Sequence, residues 1–161
     1  MQPDLINKES LLKAIRTFQT GRKPPAQLLK LQLLNKVKSE VAKALLLRQI
    51  IYKFTEGELN RHRHAACVEI PEQYPGTIPD VIEHFCHDVT NDFNYMTLCY
   101  WSALYHRYIA PVTATSKLMA EEVGVDQRTC NRWIESGVDL LVPIMQYAEL
   151  QARDDDQPPS F

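Results

Sequence analysis

No run of 18 or more apolar residues occurs in this chain, so no membrane-spanning helix is expected. The opening residues, MQPDLINKES, lack the basic, then apolar, then small-residue order of a secretory signal peptide, and the expected location is the cytoplasm. Cysteine is sparse and irregular. Cys67, Cys86, Cys99 and Cys130 form no Cys-x-x-Cys pair, which excludes the commonest zinc-site spacing and reads as reduced thiols rather than a disulfide framework. Neither GxSxG nor GxxxxGK[ST] is present, so neither a nucleophile elbow nor a phosphate-cradling loop is expected. Spacing alone leaves open only a Cys/His pair brought together by the fold. The expectation is a non-enzyme with no cofactor and no catalytic residues.

What is present suffices for a core. Apolar residues make up 45% of the 161, enough for one domain or one domain with a subdomain. The net charge of −2 hides an asymmetry: residues 1–64 carry 13 Lys/Arg against 5 Asp/Glu, and residues 65–161 carry 5 against 15. A basic half faces nucleic acid, an acidic partner, or its own acidic half.

Helical periodicity dominates. Leu5, Leu11, Leu12, Ile15 and Phe18 predict an amphipathic helix over 4–19, ended by Gly21 and the Pro24-Pro25 pair. Residues 26–56 carry the longest pattern, with Leu28, Leu31, Leu34, Val41, Leu45 and Ile51 on one face and lysines between. It reads either as one helix ending near Gly57 or as two with a break near 35–39. Pro71, Pro75, Gly76 and Pro79 predict an irregular connector, with a short strand over 65–70 as a lesser option. A helix is expected from Pro79 or Asp80 to about Val89, then a turn and cap at Asn91-Asp92. The segment from Phe93 to Ile109 is apolar on nearly all sides and reads as a buried central helix ended by Pro111. Its aromatics, Tyr95, Tyr100, Trp101, Tyr105 and Tyr108, fit core better than base stacking.

Thr113 to Leu141 follows. Two helices crossing at a tight turn need a small residue at the contact, a residue tolerant of positive φ in the turn, and apolar pins on both sides. Ala120, Gly124, and the set Met119, Val123, Val125, Cys130 and Trp133 meet these needs. Asp126 is a suitable N-cap for the second helix. Gln127, Arg128, Asn131 and Arg132 then point outward. They are the side-chain types that hydrogen-bond adenine and guanine edges.

The stretch Leu118 to Trp133, LMAEEVGVDQRTCNRW, resembles the helix-turn-helix superfamily, notably region 4 of bacterial sigma factors and response-regulator-type DNA-binding domains. Leu104 to Ile109 is similar to the apolar helix that precedes the pair there, so the likeness covers residues 93–142. A looser likeness is to helical accessory modules of bacterial signalling NTPases. The resemblance implies that the first helix supports and the second enters the major groove. It makes Gln127, Arg128, Asn131 and Arg132 candidate DNA contacts and Thr129 a candidate phosphate contact. The lead-in Thr113 to Lys117 departs from the usual pattern. Residues 113–142 also carry three basic side chains against five acidic ones, where DNA affinity rests on phosphate neutralisation.

The missing positive charge is sought in Lys23, Lys30, Lys36, Lys38, Arg61 and Arg63, candidate phosphate or partner contacts. His62, His64 and Cys67, with His84, Cys86 and His87, invite a zinc reading. Ordinary surface histidines are the preferred account, and no metal site is expected.

The expected architecture is all-α: a basic helical region over 1–60, a connector over 61–79, a helical bundle over 80–150 with the helix-turn-helix at 113–141, and a disordered acidic tail over 151–161. The expected function is a small DNA-binding, transcription-associated regulator, with DNA and a protein partner or second copy as partners. The alternative is a non-enzymatic adaptor that uses the motif for protein–protein contact. A weaker third idea is RNA contact through residues 22–63.

Overall fold

A computed structural model describes residues 5–65 and 93–155. The described residues are 79% helical, with no strand among them, so the all-α expectation holds. Five α-helices occur there: α1 (Lys8–Thr17), α2 (Glu40–Ala65), α3 (Phe93–Leu104), α4 (Ser116–Val123) and α5 (Gln127–Asp155). Among the described helices none is long and apolar enough to cross a membrane. The chain divides into two compact units, 1–52 with 138–161, and 53–137. The strand option at 65–70, most of the connector, the helix from 80 and the turn at 91–92 lie outside the described residues.

In the first unit, α1 opens with a reciprocal cap. Asn7 Oδ1 accepts from the Ser10 amide at 2.8 Å, and Ser10 Oγ accepts from the Asn7 amide at 3.1 Å. Leu11, Ala14 and Ile15 are fully buried. The chain leaves α1 through Gly21, whose φ of +69° is open to glycine without steric cost.

Residues 26–39 depart from the expected α-helix. They form two short 3₁₀ turns, Ala26–Lys30 and Gln32–Leu34, hinged at an extended Leu31. Leu28, Leu31 and Leu34 are fully buried and spaced by three, the 3₁₀ repeat, so the turns place all three on one side. Because α2 begins only at Glu40, its phase is independent of theirs. Leu47 and Ile51 are buried, whereas Val41 and Leu45, expected on the same inward stripe, are 70% and 55% exposed.

α5 closes this unit. It runs through Pro143, which removes one helical hydrogen bond and costs about 3 kcal/mol in an ordinary helix interior. Val138, Leu141 and Met145 are fully buried around it, each contributing about 1.5–3 kcal/mol, so tertiary burial outweighs propensity. The Glu149 carboxylate is buried and accepts from the amides of Gln32 at 3.1 Å and Leu33 at 3.0 Å, and from Arg153 Nε at 3.3 Å. Gln146 Nε2 donates to the Ile6 carbonyl at 2.9 Å, and Lys8 pairs with Asp139 at 3.2 Å. The helix reaches Asp155, into the stretch expected to be tail.

In the second unit, α2 continues past Gly57 to Ala65, where an end had been expected near the glycine. Thr55, Leu59 and Arg63 extend its buried ridge at intervals of four. α3 fits the buried-helix expectation: Leu98, Trp101, Ala103 and Leu104 are at most 1% exposed. Tyr105–Ile109 form a π turn, closed by the Ala110 amide donating to the Tyr105 carbonyl at 2.8 Å. Ala110 then turns extended ahead of Pro111, as a residue before proline must. α5 meets α3 at Gly137, where a methyl group would stand 2.7 Å from the Tyr100 carbonyl oxygen.

Candidate nucleic-acid interface

α4 starts at Thr115, whose hydroxyl accepts from the Leu118 amide at 3.1 Å. It stops at Gly124, with φ +80° and ψ 29°. The amides of Gly124 and Val125 both donate to the Ala120 carbonyl, at 2.9 and 3.1 Å. Three residues, Gly124 to Asp126, separate α4 from α5. Asp126 Oδ1 accepts from the Thr129 amide at 2.7 Å. That bond, with a second to the Thr129 hydroxyl, holds the Asp126 carboxyl below its ordinary range, and the nearby Arg128 and Arg132 charges act in the same direction.

Met119, Ala120, Cys130, Trp133 and Ile134 are buried and fix both helices, while Val123 and Val125 are half-buried. Gln127, Arg128, Asn131 and Arg132 are exposed, and Thr129 is half-buried. At 3.6 residues per turn, the four exposed side chains fall within an arc of about 140° on the first turns of α5. Glu135, also exposed, lies within the same arc. The strip is therefore rich in hydrogen-bonding groups and close to neutral. Its two guanidinium groups share the strip with Glu135, and their charges act on the anionic Asp126.

The other candidates are dispersed. Lys23, Lys30, Lys36 and Lys38 are exposed but belong to the first unit, and Lys23 approaches Glu40 at 3.9 Å. Arg61 is exposed and pairs with Glu58. Arg63 does not match the expected surface contact: it is 2% exposed, because it continues the buried ridge of α2. His64 is exposed. His62 lies 3.7 Å from Glu58 and titrates below its ordinary value through burial and the Arg61 charge, which Glu58 opposes. Among the described residues no group of His, Cys, Asp and Glu is placed to hold a metal ion. Cys67, His84, Cys86 and His87 lie outside them.

Two buried polar features were not anticipated. His106, in the π turn, is 2% exposed, and its pKa is lowered to about 4, first by desolvation and second by the Arg63 charge. Glu149 is the other. Arg63 was detectable in the sequence, since Leu47, Ile51, Thr55, Leu59 and Arg63 recur every four residues. The backbone donors that Glu149 serves lie more than a hundred residues away and leave no local signal. Trp101, Tyr105 and Tyr108 are buried, in keeping with core rather than base-stacking roles.

No family model matches this chain, and no curated protein or solved structure is similar to it.

Proposed function

We propose that this chain is a small DNA-binding, transcription-associated regulator of the cytoplasm, which lays the first turns of α5 in the major groove. The observation that carries the reading is the exposed strip of Gln127, Arg128, Asn131 and Arg132, set on a helix whose start is held by Gly124, Asp126 and a buried inner face. Asn and Gln pair with adenine edges, Arg with guanine or phosphate, and Thr129 sits at the helix start where a phosphate is favoured. The near-neutral strip implies weak binding by one copy, so two copies on adjacent half-sites form the functional unit.

Selection from a random-sequence duplex pool tests the reading. An enriched site is expected, and Asn131→Ala should relax preference at one position by about 1–3 kcal/mol. A folded protein that enriches no sequence sinks it. The adaptor reading draws support from Leu118, 45% exposed on α4, and from the acidity of residues 113–142. It predicts no enrichment and a protein partner lost with Leu118→Glu.

A further inference from the structure

The first unit leaves two apolar features uncovered, and each has the shape and charge the other lacks. One is a groove of about 330 Å³ between the end of α1, the Gly21–Pro24 turn and the first turns of α2. Phe18, Leu29, Ala44, Val41 and Leu45 give it a mostly apolar lining, with Val41 and Leu45 one helical turn apart and well exposed. Its rim is cationic: Arg22, Lys23 and Arg48 against Glu40 alone. Arg48 is fixed in place, its guanidinium carbon 5.8 Å from the Phe18 ring centre and 5.1 Å from that of Tyr52, with Nε donating to the Tyr52 hydroxyl at 3.0 Å. Such a guanidinium loses little freedom on meeting a carboxylate.

The other feature is the last part of α5. Tyr147 is 64% exposed and Leu150 47% exposed, three residues apart on one face. Asp154 and Asp155 follow one turn later and are exposed. This is an acidic amphipathic helix with two bulky anchors that the described residues leave exposed. A 150 Å³ cavity holds one benzene ring, so a groove of about 330 Å³ takes a phenol ring and a leucine together. Anchors one turn apart suit a helix laid in an apolar groove.

We propose that the groove receives the end of α5 from a second copy of this chain. Tyr147 and Leu150 enter against Val41 and Leu45, and Asp154 and Asp155 meet Arg22, Lys23 and Arg48. Two copies exchange these helices reciprocally, so each buries its anchors in the other. The contact accounts for Val41, Leu45, Tyr147 and Leu150 at once. It rests on no property of the α4–α5 motif, and its test uses no nucleic acid.

Sedimentation equilibrium of the full chain reads the proposal. The wild type should self-associate reversibly, and more weakly as salt rises. Leu45→Glu, which spoils the groove, and Tyr147→Glu, which spoils the anchor, should each weaken association roughly tenfold or more. Both side chains are exposed, so both variants retain their helical circular dichroism. An equimolar mixture carries one intact groove and one intact anchor per pair, and should associate more strongly than either variant alone. A wild type that stays monomeric across the accessible concentrations overturns the proposal. So does either variant that associates as the wild type does, or a mixture no stronger than its components.

Discussion

At the scale of single residues, buried polar groups separate stability from the exposed strip. His106 is neutral when folded because burial and the Arg63 charge lower its pKa to about 4, whereas an unfolded histidine titrates near 6.5. Between those values the unfolded chain binds the extra proton, so stability falls as the pH drops from about 6.5 towards 4. The full shift corresponds to about 3 kcal/mol. Urea titrations from pH 7 to pH 4 should show that decline, and His106→Gln, which cannot titrate, should flatten it by a comparable amount. An unchanged acid slope in that variant contradicts the assignment. Asp126 acts in the same direction, in a more acidic window. Its depressed pKa makes its capping bond present above the ordinary carboxyl range and lost as the pH falls through the lowered value.

At the scale of elements, two glycines in long helices have opposite roles. Gly57 lies in α2 with nothing within 4 Å of where a methyl group would stand, so Gly57→Ala should stabilise the protein by about 0.5–1 kcal/mol through helix propensity alone. Gly137 lies where α5 touches α3, and the same change there puts a carbon 2.7 Å from a backbone oxygen. The helices must part, and Gly137→Ala should destabilise by about 1–3 kcal/mol despite its better propensity. Thermal melts of the pair check both signs, and equal shifts refute the crossing.

Element boundaries show how much was legible. The capped start of α1, the buried helix ended ahead of Pro111 and the Gly124 turn all follow from local rules. Leu28, Leu31 and Leu34 were legible in principle, since strict spacing by three without a fourth-residue step marks 3₁₀ turns. The break expected near 35–39 as one of two options matches the start of α2 at Glu40, but reading all these residues on one face placed Val41 and Leu45 wrongly. Gly57 misled in the same direction, and Pro143 is a second signal of that kind. Each is a local stop signal inside a helix held by distant contacts, such as Leu59 and Met145 in the core and Glu149 on the backbone of residues 32 and 33. The candidate strip was legible because a helix face is a local property. The burial of Arg63 follows the repeat of four from Leu47, whereas the neighbours of Glu149 depend on tertiary packing.

At the scale of the whole molecule, charge is the issue on which function turns. Net charge sums separate a basic first half from an acidic second half, but the α4–α5 motif itself has three basic side chains against five acidic ones. The proposed DNA binding requires few phosphate contacts per copy, with hydrogen bonds to bases and pairing of copies supplying the rest. It should therefore show a shallow salt dependence, with log K against log salt falling by about 0.9 per phosphate engaged. The most direct measurement is that slope for a random-sequence duplex, wild type beside Arg128→Ala/Arg132→Ala, with the fold checked by circular dichroism. The account predicts that the double variant binds at least about tenfold more weakly at low salt and that its slope is shallower by up to about 2. A folded double variant with unchanged affinity and unchanged slope contradicts it.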